Sequence, residues 1–142
     1  MRILLVGLLL GFLFNLFGWL GNVFVLGAMW NDATLIFADV PWRNSPWRDA
    51  VSLVPDFIYG VAVAWLYAGL SRRYGASATT GLRAILLVFL VGAFTTYLGI
   101  ANSAFLSWTL AAATTLLALV VFLPGAWLVD RLLRDHVTRG QR

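Results

Sequence analysis

Residues 84–129 read AILLVFLVGAFTTYLGIANSAFLSWTLAAATTLLALVVFLPGAWLV, which is 46 consecutive positions without a charged side chain. A single α-helix of that length would extend about 69 Å at 1.5 Å per residue, more than twice the roughly 30 Å hydrocarbon core of a bilayer. Polarity and low helix propensity coincide at residues 101–104 (Ala-Asn-Ser-Ala), so we predict a turn there. The stretch therefore predicts two membrane-spanning helices.

Two more apolar stretches precede it. Residues 3–29 carry no charge, and residues 50–71 carry only Asp56. A cleaved signal peptide is the competing interpretation of the first stretch, but its length and the Leu at the −3 position of residues 26–28 argue against cleavage. We predict an all-α protein, a four-transmembrane-helix bundle with antiparallel, up-down-up-down helices in a single domain of residues 1–142. The expected spans are residues 3–29, 50–71, 82–101 and 106–129.

The overall composition agrees with a membrane location. The 142 residues are 61% hydrophobic and 11% charged, whereas soluble domains have about 25% charged residues. The absence of Cys excludes disulfides and thiolate chemistry. All ten basic residues are Arg and all six acidic residues are Asp, a bias typical of a GC-rich bacterial genome. We therefore expect the inner membrane of a bacterium.

The distribution of Arg predicts the orientation. With four spans, eight Arg residues fall on one side of the membrane and two on the other. The larger set is Arg2, Arg72, Arg73, Arg83, Arg131, Arg134, Arg139 and Arg142, and the smaller set is Arg43 and Arg48. Because basic loops stay on the cytoplasmic side, both termini are predicted to be cytoplasmic, with a periplasmic loop at 30–49 and a cytoplasmic tail at 130–142.

The predicted periplasmic loop contains a short internal repeat. Pro-Trp-Arg occurs at residues 41–43 and again at 46–48. A Trp ring suits the headgroup region, and an Arg beside it suits lipid phosphate. We interpret these residues as interfacial anchors, with ligand capture by the loop as the alternative. The expected anchors are Trp30, Trp42, Trp47, Arg43 and Arg48.

Small and polar residues form a stripe on the first span. Gly7, Gly11, Asn15, Gly18 and Asn22 are spaced by 4, 4, 3 and 4 residues and fall within about 80° of the helix circumference. Such a stripe favours close helix packing, with lining of a ligand site as the alternative. The glycines expected to pack against neighbouring helices are Gly7, Gly11, Gly18, Gly60, Gly92 and Gly99.

Asp56 is the one carboxylate within a predicted span. We expect its helix to begin near Asp49 as the N-cap and to kink at Pro55, which places Asp56 about 10 Å from the outer helix end. Embedded carboxylates are usually functional, and a harmless position at the interface is the alternative. Polar side chains of the other spans cluster at the same depth, which predicts a pocket open to the periplasm. The candidate ligand or partner contacts are Asp56, Asn22, Asn15, Thr96, Asn102, Ser103 and Tyr67.

Residues suited to catalysis are scarce. The sole His, His136, lies in the predicted tail, and Lys and Glu do not occur. A Gly-rich phosphate loop is also absent from the sequence. We therefore expect no enzyme activity, no catalytic residue, no metal site and no cofactor. The expected partners are the lipid bilayer and a second copy or another membrane protein, and no nucleic acid.

Three segments resemble those of small, uncharacterised four-span bacterial membrane proteins. They are Asn15-x2-Gly18-x3-Asn22, residues 65–68 (Trp-Leu-Tyr-Ala) and residues 72–75 (Arg-Arg-Tyr-Gly). The resemblance implies the same fold and location, and it implies no activity. We predict a bundle that binds an apolar ligand, a lipid or a partner membrane protein. The alternative is a small oligomeric transporter that uses Asp56 as its coupling carboxylate.

Overall fold

The fold consists of helices. A computed structural model of the chain describes residues 1–35, 46–102 and 106–139, and no strand occurs among them. The helices are α1 (Arg2–Phe24), α2 (Gly27–Leu35), α3 (Pro46–Tyr74), α4 (Ala78–Asn102) and α5 (Trp108–Arg139). In this described part of the chain, α1, α4, α5 and the Ala50–Tyr74 part of α3 are long and apolar enough to cross a membrane. The prediction of an all-α protein with four candidate spans is confirmed.

Several helix ends differ from the predicted ones. Helix α1 ends at Phe24, and α2 resumes at Gly27 after a short break. Helix α3 begins at Pro46, so Asp49 is not its N-cap; a Pro in the first turn is tolerated because that turn needs no N–H donor. Helix α5 continues to Arg139, ten residues into the predicted tail, because Leu133 and Val137 extend its buried stripe.

The four long helices pack in a ring. Helix α1 contacts α3 and α5, and α4 contacts the same two helices. Gly7 lies opposite Val61 while Gly11 lies opposite Phe57, so α1 and α3 run antiparallel. A tight turn that joins α3 to α4 has Gly75 at a φ of 78°, a conformation that favours Gly. The start of α1 and the end of α5 consequently lie at the same end of the ring.

Glycines allow α1 and α3 to touch along their backbones. A Cβ atom added to Gly7 would lie 2.6 Å from the Cα of Val61, and one added to Gly11 would lie 2.5 Å from the Cα of Phe57. A Cβ atom added to Gly60 would collide with the backbone of Gly7 and of Gly11. Close backbone approach through small residues is the usual packing mode of membrane helices. Any side chain at these three positions would push the two helices apart.

An aromatic and aliphatic core fills the middle of the ring. Phe14 of α1 and Phe122 of α5 stack with ring centroids 4.2 Å apart and an interplanar angle of 15°. Tyr59 and Phe89 pack around Phe122 with centroid distances of 6.0 and 6.2 Å. Many Leu, Val, Phe and Trp side chains point outward instead, as expected where lipid replaces water.

Helix α4 contains a π-helical turn at Leu90–Phe94. Directly after this turn, the hydroxyl of Thr95 donates to the carbonyl of Val91 at 2.6 Å, and that of Thr96 donates to the carbonyl of Gly92 at 2.9 Å. Turns of this type often occur beside functional sites. Here the turn precedes Thr96 and Tyr97, which both line the cavity described below.

Candidate functional site

A cavity of about 510 Å³ lies between the four long helices, near the end opposite to the chain termini. Helix α1 contributes its C-terminal half to the wall, α3 its N-terminal half, α4 its C-terminal half and α5 its N-terminal half. The polar or small members of the wall are Asn15, Gly18, Asn22, Ser52, Asp56, Thr96 and Thr114. The aromatic members are Phe14, Trp19, Tyr59, Tyr97 and Phe122.

Asp56 is half-buried in the cavity wall. The helix that carries it begins at Pro46, so Asp56 lies about 15 Å along α3 from its start. No hydrogen bond and no salt bridge to Asp56 is formed by any residue of the described ranges. Asn22 and Thr96, which were expected in the same pocket as Asp56, line the same cavity without a hydrogen bond to it. Tyr97 of α4 lies within electrostatic range of Asp56.

The two asparagines of α1 donate side-chain N–H groups to backbone carbonyl oxygens. Asn15 donates from Nδ2 to Gly11 at 3.0 Å and to Leu53 at 3.1 Å, the latter across to α3. Asn22 donates from Nδ2 to Gly18 at 2.8 Å. These bonds remove the cost of an unpaired amide in a membrane. They also leave the Asn15 Oδ1 atom as an acceptor at the cavity.

The threonines of the cavity behave in the same way. Thr96 donates to the carbonyl of Gly92, and Thr114 donates to that of Leu110 at 2.7 Å. Each hydroxyl has one hydrogen, so each oxygen is left with acceptor capacity only. Asp56, Asn15, Thr96 and Thr114 thus present acceptor atoms to the cavity, whose lining also includes the donor-capable side chains of Trp19, Tyr59 and Tyr97.

Two glycines of the predicted packing set have no close neighbour among the described residues. A Cβ atom at Gly18 or at Gly99 would meet no described atom within 4 Å, so the predicted close packing is not formed with the described helices at either position. Gly18 lines the cavity instead. Gly92 does pack tightly, with its added Cβ 2.5 Å from the ring of Tyr59. Close packing also occurs at Gly81, against the backbone of Ala126, which the stripe pattern did not predict.

The other predicted site and anchor residues are scattered. Asn102 is exposed at the end of α4 and does not line the cavity. Trp30 donates from Nε1 to the Oδ1 atom of Asn22 at 2.7 Å, which ties α2 to α1. Trp47 is 76% exposed, as an interfacial anchor would be. The predictions for Ser103, Trp42, Arg43 and the side chain of Arg48 fall outside the described residues.

A second polar cluster lies at the opposite end of the ring. The Tyr67 hydroxyl donates to Oδ1 of Asp130 at 2.6 Å, and the guanidinium of Arg134 pairs with the same carboxylate. Tyr67 and Asp130 are 0% and 2% exposed. Tyr67 therefore does not line the cavity, because its hydroxyl donates to Asp130 at the other end of the ring, and its role as a ligand contact stays a prediction.

Sequence reasoning missed Asp130 because it is the first charge after an apolar span. The continued stripe of Leu133 and Val137 and the four-residue spacing to Arg134 were signals that could have revealed it. The aromatic core separates this cluster from the cavity. Tyr59 lines the cavity and Tyr67 belongs to the cluster, so the two sites are about 12 Å apart along α3.

Comparison with known proteins yields no relative. No protein-family model, no curated protein and no solved structure matches the chain. The resemblance to four-span bacterial proteins stays a prediction. Within the described ranges, no group of three His, Asp or Glu side chains could hold a metal ion.

Proposed function

We propose that the protein is a non-catalytic component of the bacterial inner membrane that binds an apolar ligand or lipid. The observation that carries the proposal is the 510 Å³ cavity with aromatic walls and one carboxylate. Ligand sites in proteins have volumes of about 300–1,000 Å³, mostly apolar walls and a few polar groups that orient the ligand. The cavity meets all three criteria.

The distribution of Arg residues supports a site that faces the periplasm. The described members of the larger Arg set, from Arg2 to Arg139, are located at the helix ends that surround the chain termini. Basic residues favour the cytoplasmic side. The cavity is near the other end of the ring, and the dry aromatic core lies between it and the cytoplasmic end. A ligand would therefore enter from the periplasm or from the outer leaflet.

Substitution of Gly18 tests the proposal. Leu at this position should fill part of the cavity without a backbone clash, because Gly18 faces open space. Gly69 supplies a matched control, since its position is equally open and lies outside the cavity wall. Native mass spectrometry of the purified proteins should show less co-purifying lipid or small ligand on Gly18→Leu than on wild type, and no loss on Gly69→Leu. Equal occupancy of all three proteins would contradict the proposal.

A small oligomeric transporter is the second candidate function. Its support is the position of Asp56, embedded in a helix and not paired with a cation in the described part of the chain. A carboxylate of this kind can couple proton movement to transport. Reconstituted vesicles with a proton gradient separate the two candidates. Transport lost in Asp56→Asn supports the transporter, whereas ligand binding without gradient-driven transport supports the binding protein.

A further inference from the structure

We infer that the cavity selects amphipathic cations, that is, ligands with an ammonium group on an apolar or aromatic body. This inference rests on the proposed function and names the ligand class for the same site. It follows from three separate properties of the cavity wall: its charge, its hydrogen-bonding character and its aromatic surface.

The charge of the wall is negative. Among the lining residues that the structure describes, Asp56 is the single charged side chain, and none is Arg or His. A carboxylate that is partly removed from water is costly unless a cation or several donors compensate it. No described residue does so for Asp56. A bound cation would supply the missing partner, whereas a bound anion would add repulsion.

The hydrogen-bonding groups point to the same ligand. The N–H donors of Asn15 and the hydroxyl donors of Thr96 and Thr114 already bind backbone carbonyls. Their oxygens and the carboxylate of Asp56 remain as acceptors. An ammonium group carries donors and no acceptor, so it matches this set. A phosphate or carboxylate would leave the acceptors without partners and is disfavoured.

The aromatic rings provide the remaining contact surface. Phe14 and Phe122 stack at the base of the cavity, and Tyr59 packs against Phe122. An aromatic or aliphatic ligand body would bury its apolar surface on these rings. Ring faces also attract cations when the site is shielded from water. The same surface thus favours both the body and the charge of the ligand.

Three probes of one shape test the inference. 2-Naphthylmethylamine is a cation at neutral pH, 2-naphthalenemethanol is neutral, and 2-naphthoate is an anion. Binding to the full chain in nanodiscs of zwitterionic lipid, corrected with empty nanodiscs, should be roughly tenfold or more tighter for the amine than for the alcohol, as charge-assisted hydrogen bonds provide. The carboxylate should bind weakest. Because wild-type protein suffices, this comparison does not depend on the folding of a variant.

Two variants test whether Asp56 is responsible for the preference for the cationic probe. Asp56→Asn should reduce amine binding to the level of the alcohol, whereas Asp135→Asn, an exposed site outside the cavity wall, should leave it unchanged. Equal binding of amine and alcohol, or an amine preference that survives Asp56→Asn, would overturn the cation inference. The proposed function would still stand if Gly18→Leu weakened the binding of both the amine and the alcohol. If no probe bound in a manner sensitive to Gly18→Leu, both proposals would fall.

Discussion

At the scale of single residues, the most informative contact is the one between Tyr67 and Asp130. Both side chains are buried, and the carboxylate receives donors from Tyr67 and from Arg134. Ser71 adds a hydroxyl that donates to the carbonyl of Tyr67 at 2.7 Å. A buried carboxylate is tolerated when its hydrogen-bonding capacity is used in this way. The contact joins α3 to α5 at the end that also carries the Arg residues.

Tyr67→Phe should therefore lower the free energy of unfolding. It removes one hydrogen bond to a charged group, worth about 1.5–3 kcal/mol, and keeps the ring that fills the core. Tyr74→Phe is the matched control, because Tyr74 is 50% exposed and its ring, rather than its hydroxyl, faces Arg83. Denaturant titration in detergent micelles would compare the two. Equal stability of both variants would mean that the Tyr67 hydroxyl contributes nothing.

At the scale of helices, the contact between α1 and α3 depends on three glycines at which the backbones meet. Gly7 and Gly11 lie on α1, and Gly60 lies between them on α3. The same stripe of α1 changes role further along the helix, where Gly18 and Asn22 line the cavity. One helix face therefore packs against α3 in its first half and lines the cavity in its second half.

The two halves of the stripe should respond differently to the same substitution. Gly11→Leu should destabilise the protein by about 1–3 kcal/mol or more, because overpacking here meets backbone atoms that cannot move aside. Gly18→Leu should retain near-wild-type thermal stability, since no described atom lies within 4 Å of the added Cβ. Thermal unfolding of both variants beside Gly69→Leu checks this. Similar losses at Gly11 and Gly18 would contradict the described packing.

At the scale of the whole molecule, the arrangement of the helices places the described members of the larger Arg set and the cavity at opposite ends. We predict that the Arg-rich end is cytoplasmic. Because the chain has no Cys, single-Cys variants report their own location. Asn44→Cys should react with a membrane-impermeant maleimide in intact spheroplasts, and Thr79→Cys should react only after lysis. The reverse pattern would invert the orientation and place the cavity toward the cytoplasm.

The sequence alone determined the helical class and the four candidate spans. The reason is that hydrophobicity over about 20 residues is a local property, and lipid excludes any backbone that does not satisfy its own hydrogen bonds. The sequence also determined that Asp56 and the polar groups of α1 and α4 occur at one depth. For Asp56, Asn22 and Thr96, a similar predicted depth in the membrane was sufficient to predict that they line one cavity.

Only the tertiary structure decided which residue of a stripe packs and which lines the cavity. Gly11 and Gly18 occupy the same helix face, yet one meets a backbone and the other meets open space. The difference arises because α3 lies against α1 at Gly11 and not at Gly18, and the sequence of α1 alone does not specify the path of α3. Tyr67 and Asp130 are 63 residues apart, and their pairing depends on how two helices are placed side by side. The periodicity of a sequence describes one helix at a time. The burial of a side chain and the identity of its hydrogen-bond partner depend on how the helices are assembled.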